Sequence, residues 1–385
     1  MAHALEDLLI LDFSRVLAGP LATMVLADLG ATVVKVERPG AGDDTRAWGP
    51  PYDAAGVATY FLSVNRNKRS VALDLRNADD VAVARELASR ADVVVENFRP
   101  GVMERLGLGY DELAQANAGL VYCSITGFGR AGGAHMPGYD LLVQAAGGLM
   151  SVTGPAGGEP QKVGVALVDV MAGLFAAVGV LSALRHRDRT GEGQRVDVDL
   201  LSSLLAGMAN QASAYTAGGV VPGRLGNMHP SIAPYELLPA DGGDLVLACG
   251  TDRQFAAVCD VLGLPGLAED PDFATNDRRV AHRDRLRATL IERLATRTPG
   301  AWAADLIAAG VPAGEVNDMA SAIALARSLG LEPTVALERE DGSTVDVVRN
   351  PIGLSATPPA YWRAPPSLGA DDDDFTTASS APGER

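Results

Sequence analysis

Cysteine is scarce in this chain of 385 residues: three, at Cys123, Cys249 and Cys259, stand far apart with no C-x-x-C spacing. An odd, scattered set supplies neither a disulfide framework nor a cysteine zinc site, and it suits a reducing cytoplasm. Lysine is scarce too, since Lys35, Lys68 and Lys162 are the only lysines among 32 basic residues. The 48 Asp and Glu outnumber the basic residues and give a formal net charge of −16. Such a surface excludes general binding to a phosphate backbone, so no nucleic-acid partner is expected, though a local basic pocket for one anionic ligand is still possible. The five histidines, at 3, 135, 186, 229 and 282, form no H-x-x-x-H or H-E-x-x-H pair, and no metal site is expected. No G-x-G-x-x-G, no P-loop and no G-x-S-x-G occurs, which removes the anchors for dinucleotide, nucleotide-triphosphate and serine-hydrolase readings. The N-terminus lacks a basic region followed by a long apolar run, so it reads as a first strand rather than a signal peptide. The one stretch resembling a membrane span, Val163–Leu184, carries Asp169 and then about 15 uncharged residues, short of the ~20 a span needs. No membrane partner is expected, and a strand leading into a buried helix is the better reading.

What is present is a soluble globular composition, 47% hydrophobic and 21% charged. Residues 8–13 (LLILDF) are a continuous apolar run, as a buried parallel strand requires. A loop, a helical stretch ending at Gly30 and a second strand (ATVVKVE) follow, which is the opening of a doubly wound α/β domain. The pattern recurs with strands at 70–75, 92–98 and 120–128 and a helix at 78–91. Residues 129–162 are rich in Gly and Pro around one short helix at 139–146. A long apolar helix, a strand at RVDVDLL and a helix over 199–214 complete this part. From about 220 the character changes, with GDLVLACG, helices near 253–262 and 281–295, and AWAADLIAAGVP. We therefore expect a discontinuous large domain (1–215 and 335–385), a small domain (225–325), linkers at 215–225 and 325–335, and a flexible acidic tail over 370–385.

Two acidic residues invite a functional reading. Glu37 ends the second strand, where dinucleotide-binding folds place a ribose-binding acid, but the glycine fingerprint that should precede it is missing. Asp169 is the stronger candidate. It stands alone between VGVALV and VMAGLFAAVGVL, at a strand-to-helix junction where open α/β folds expose their sites. The alternative is a helix N-cap. A carboxylate held at a helix N-terminus is expected to stay ionised and to serve as a nucleophile toward an activated acyl group.

At this point the chain resembles a known family, the class III CoA-transferases, which share a fold with the α-methylacyl-CoA racemases. The resemblance runs in order through DFSRVLAGP, GATVVKVERPGAGDDTR, NRNKRSVALDL, VENFRPGVMERLGLGY, SITGFG, PGYDLLVQAAGGLM, the V-D-V-M-A-G around Asp169, RTGEGQRVDVDL, GNMHPSIAPY and RAPPSLG. It implies a Rossmann-like large domain plus a small α+β domain, in a homodimer whose subunits interlock ring through ring. It implies a substrate, a coenzyme A thioester, together with a small carboxylic acid, with no permanently bound cofactor. Asp169 matches the family nucleophile, which passes through an aspartyl anhydride and an aspartyl-CoA thioester. Val16, Leu17, Ala18, Arg38, Leu73, Arg76, Asn97, Phe98, Arg105, Gly138 and Tyr139 match CoA-contacting positions. Arg76 replaces a lysine and Pro137 another lysine of formyl-CoA transferase, and that enzyme's Gly-rich catalytic loop has no copy here. The segment with Asn227 and His229 occupies its neighbourhood, which turns the expectation from formate and oxalate toward larger acids such as dicarboxylates, with succinyl-CoA a possible donor. The racemases use a histidine where this chain has Tyr139, and an unperturbed tyrosine (pKa near ~10) is a poor base at neutral pH. Transferase is therefore preferred over racemase or a non-catalytic acyl-CoA-binding protein.

Overall fold

The computed structural model describes residues 3–376. The chain divides into two compact units. The first draws on the chain up to Leu149, Lys162–Val220 and the chain from Glu332 onward.

Six parallel strands form its central sheet: β1 (Leu9–Asp12), β2 (Thr32–Glu37), β3 (Lys68–Ala72), β4 (Val93–Glu96), β5 (Val121–Thr126) and β6 (Arg195–Asp199), in the order β3-β2-β1-β4-β5-β6. This is the doubly wound order, with its reversal between β1 and β4. The apolar runs are continuous because both faces are covered. Ile10, Val33, Val93 and Val121 point to one face, where they meet a first helix (Ala18–Asp28) and a long helix (Leu167–Thr190). Their neighbours Leu11, Val34, Val94 and Tyr122 point to the other, against the helix Ala78–Arg90. The long helix meets the core through small residues, Ala172, Gly173, Ala176 and Ala177. A Cβ on Gly173 would stand 2.5 Å from the Ala18 carbonyl oxygen, so only glycine lets the two helices approach so closely. A hairpin of β10 (Thr334–Glu338) and β11 (Thr344–Val348) completes this unit.

The second unit comprises Met150–Gln161 and Val221–Leu331. Its antiparallel sheet joins β7 (Tyr235–Ala240), β8 (Gly243–Ala248) and β9 (Ala313–Glu315). Helices Asp252–Leu262, Arg283–Leu294 and Pro299–Ala308 cover it around Leu245, Phe255, Leu290 and Trp302.

Four expectations change. No strand precedes the long helix; Val163 is held instead by Gln144, whose side-chain oxygen accepts its N–H at 2.9 Å. The helix expected over 199–214 is two, Leu200–Gly207 and Ala209–Thr216, broken where Ala209 takes φ +39°. Residues 150–161 belong to the second unit, tied there by Gly226 N–H to the Gly154 carbonyl and by Arg224 to the Gly158 carbonyl. The acidic tail is also not loose over 370–376. Asp371 is buried, its carboxylate accepts the Ser70 N–H, and Asp372 accepts the Ala72 N–H, so the segment occupies the open edge of β3 and ends in a short helix, Asp372–Thr376. Residues 377–385 of the expected tail lie outside the described residues.

Candidate active site

A cavity of about 280 Å³ opens at the carboxyl ends of β1, β4 and β5, at the point where the strand order reverses. Two loops cross there and are stitched together by one side chain. The Asn97 amide donates to the Arg15 carbonyl (2.7 Å) and its oxygen accepts the Arg15 N–H (2.9 Å). The Arg15 guanidinium lies 4.8 Å from the Phe98 ring centroid.

The loop after β1 is bent by Val16, a β-branched residue at φ +70°. Such a conformation costs about 1–3 kcal/mol and persists only when the surroundings impose it. The surroundings here are two of the three lysines. Lys35 is fully buried, pairs with Asp43 (2.9 Å) and donates to the Ser14 carbonyl (2.8 Å), and the Asp43 carboxylate accepts the Val16 N–H. On the other side, Asp12 accepts the Ser14 and Thr23 hydroxyls and the buried Lys68 ammonium. Burial pushes Lys68 down to about 8, even against the pull of Asp12. Burial would also depress Lys35, but Asp43, Asp12 and Glu37 outweigh it and hold Lys35 above its ordinary value.

Asp169 sits in the cavity wall, in the first turn of the long helix. It is not the N-cap: that is Ala166, which offers no side-chain cap. The Val168 and Asp169 N–H groups are accepted instead by Asp140, at 2.8 and 3.3 Å. The expectation that the helix end keeps Asp169 ionised is therefore corrected. Another carboxylate already occupies that end, and burial first and Asp140 second push Asp169 from 3.8 up to about 7. Tyr60 shares these surroundings: burial, then Asp169, Asp140 and Asp43, raise its phenol to about 12.

Of the matched positions, Val16, Leu17, Ala18, Asn97, Phe98, Gly138, Tyr139 and Asp169 line one cavity. Gly138 packs so tightly that an added Cβ would lie 2.4 Å from the Gly127 Cα, and this turn presents Tyr139 at the surface, 62% exposed. Four positions fall elsewhere. Leu73 is buried in the core under the sheet, Arg105 is exposed outside the lining, and Arg76 extends into solvent in a two-pronged pair with Asp74. Arg38 is outside the lining but adjoins it, because Asp44 in the wall lies 3.9 Å from Arg38 and 3.6 Å from Arg15. The arginines that do line the cavity, Arg15 and Arg99, escaped the sequence reading; their only signal was position, directly after β1 and β4. Glu37 is consumed structurally, accepting Arg46, Ser70 and the Asp43 N–H, so it holds no ribose. In the second unit His229 accepts the Ser231 N–H through Nδ1 and packs on Tyr235 at 5.2 Å, a loop-bracing arrangement.

Comparison with known proteins agrees with this architecture. Residues 5–372 match the model of CoA-transferase family III. The chain is 43% identical to a succinate–glutarate CoA-transferase of Agrobacterium fabrum, covering 95% of this chain and 93% of that one. It is 41% identical to a mouse succinyl-CoA:glutarate CoA-transferase, covering 95% and 84%. An acetyl-CoA:oxalate CoA-transferase of Acetobacter aceti is 44% identical, with 82% of each chain covered. The crystal structure of a CaiB/BaiF family protein from Brucella suis superposes with a TM-score of 0.86 at 41% identity, covering 97% and 98%. The sheet order and the cavity at its reversal define a ligand-binding α/β enzyme, and the chain belongs to CoA-transferase family III. It is a CoA-transferase, moving CoA from an acyl-CoA donor to a carboxylic acid, with CoA thioesters as substrates.

Proposed function

We propose that Asp169 is the nucleophile and that the donor and acceptor are C4–C5 dicarboxylic acids, succinyl-CoA giving its CoA to glutarate or a close analogue. The observation that carries this is the Asp169 carboxylate in the cavity wall at the strand-order reversal, half-buried and unpaired by any cation among the described residues. The relatives named for succinate and glutarate support the acid class.

The ionised Asp169 attacks the thioester carbonyl, and the C–S bond breaks to release CoA thiolate and leave a mixed anhydride. The thiolate attacks the aspartyl carbonyl, a C–O bond breaks, and the donor acid leaves an aspartyl-CoA thioester. The acceptor carboxylate attacks this thioester and the sequence runs in reverse. No electron or net proton is gained, so the reaction needs no permanent cofactor. Covalent splitting and proximity lower each barrier. Partial desolvation raises the basicity of Asp169 and strips water that would otherwise blunt its attack. The first helix starts without a side-chain cap at Leu17, which lines the same cavity as Asp169, so its free N–H groups are the donors this reading assigns to the developing oxyanion. Arg15, Arg38 and Arg99, after the neighbouring strands β1, β2 and β4, bind the phosphates of CoA.

The native state is a homodimer, and the family's interlocked form is part of this reading. Apart from Asp169, the long helix is largely apolar up to Leu184, with a mean hydropathy of 2.2 in its best window, yet only 44% of that window is buried within the chain. Leu174, Phe175 and Val178 remain exposed, and a second copy covers them. The chain works in the cytoplasm, a reading supported by its three cysteines, all buried and none in a disulfide. The test is intact-mass analysis after incubation with succinyl-CoA: a CoA adduct is expected on Asp169 and must be absent from Asp169→Ala. An adduct that survives the substitution refutes the assignment.

A further inference from the structure

Asp140 has no partner in the chemistry above, but its geometry is specific. It opens the short helix Asp140–Ala146, and one of its oxygens accepts the N–H groups of Val168 and Asp169 itself. Its other oxygen accepts the Gln144 side-chain amide (2.5 Å). Gln144 is almost fully buried, and its own oxygen accepts the Val163 N–H (2.9 Å). Leu167 N–H is met by the Val165 carbonyl. The two side chains therefore anchor both ends of the segment 163–169 that leads into the long helix, and Asp140 satisfies two of the orphan donors of its first turn. A neutral Ser, Thr or Asn would satisfy those donors at comparable strength. A carboxylate adds a negative charge next to the attacking one.

We propose that Asp140 is a positioning residue that anchors the backbone of Asp169 at the start of the long helix and sets a like charge beside the attacking carboxylate. This rests on Asp169 being the nucleophile. Asp140 acts through the neighbouring helix start rather than on substrate. A carboxylate with higher proton affinity is the stronger nucleophile once ionised, and it is also the better acyl acceptor and the poorer leaving group, so the like charge tunes how readily each covalent intermediate forms and breaks. The charged and titratable groups around Asp169 are Asp140 and Tyr60, which interact with it, and Tyr139, Arg15, Asp44 and Arg99, which line the same cavity. Of these, Asp140 is the charge that moves Asp169, and it acts in the same direction as burial.

The experiment compares wild type with Asp140→Asn and Asp140→Ser, both neutral hydrogen-bond acceptors, in the pH profile of kcat/KM for succinyl-CoA with glutarate. The wild-type acid limb is expected near pH 7, and in both variants it moves down by about one unit, the size a neighbouring carboxylate commands. KM for the thioester stays within about twofold, because Asp140 does not line the cavity. Asp140→Ala, which also loses the anchor, loses at least about tenfold in kcat on the plateau. Adduct formation on Asp169 is read in parallel. If the adduct forms in the neutral variants while their acid limb stays at the wild-type position, the inference is overturned and the Asp169 reading stands. If wild type forms no adduct, the underlying reading falls instead.

Discussion

Replacing Asp169 should make the protein more stable, and the size of the gain follows from its surroundings. Asp169 titrates at about 7 in the folded chain against 3.8 for an ordinary aspartate. The native state therefore binds more protons than the unfolded chain between these values, and this group's contribution to stability falls as pH rises from 3.8 to 7. Above pH 7 the penalty is complete, about 4 kcal/mol for some three pK steps at ~1.4 kcal/mol each. At pH 5 about 2 kcal/mol of it has accrued, and below 3.8 none. Asp169→Asn keeps the shape and removes the charge, at a cost of about 1–3 kcal/mol for a buried amide without a new partner. The net gain at pH 8 is then about 1–3 kcal/mol, or roughly 2–10 °C in the melting of the large unit. Thermal unfolding followed by circular dichroism, without ligand, at pH 8 and pH 5 measures it. A variant that melts no higher than wild type at pH 8, or whose advantage is as large at pH 5 as at pH 8, would show that the burial of this carboxylate is not a destabilising strain.

Lys35→Met leaves Asp43 charged and buried without its partner and should cost about 3–5 kcal/mol. Because Asp43 also holds the Val16 N–H, KM for the acyl-CoA should rise several-fold, and an unchanged KM at a lowered melting point would confine the pair to the core. Arg99→Ala should raise KM for succinyl-CoA by about three- to tenfold and weaken its dependence on salt, while Arg105→Ala, outside the cavity, should leave KM near the wild-type value. Gly138→Ala drives a methyl into the Gly127 backbone, so a loss of at least about tenfold in kcat is expected, with a fold still recognisable by circular dichroism.

The sequence was readable where one local pattern decided the outcome. Continuous apolar runs give β1, β2, β4 and β5 because a sheet covered on both faces leaves no polar side, and the single carboxylate in the otherwise apolar stretch up to Leu184 marks Asp169. What stayed hidden was non-local. Nothing near Asp169 in sequence announces that Asp140, 29 positions earlier, takes the helix N–H groups, and this is why a carboxylate stabilised by the helix end was expected where burial and Asp140 instead raise its pKa to about 7. The sequence carries no sign that Lys35 and Lys68 are buried, because their partners Asp43 and Asp12 are brought onto them only by the sheet. Arg15 and Arg99 reach the cavity, and Arg76 does not, because loop direction rather than residue type decides which guanidinium faces inward. Asp371 and Asp372 looked like solvated charge because their partners, the Ser70 and Ala72 amides, lie some 300 positions away.

Those two aspartates also change what the large sheet presents to its neighbours. A terminal strand with free amides is a template onto which any extended peptide can zip, and here side-chain oxygens fill the vacant sites without adding a further strand. The ending works as a stopper whose negative charge repels an identical ending on another molecule. Polypeptide fused or trimmed just before Gly369 would unplug that flank, and clumping through the sheet, with catalysis initially spared, is the form the damage would take.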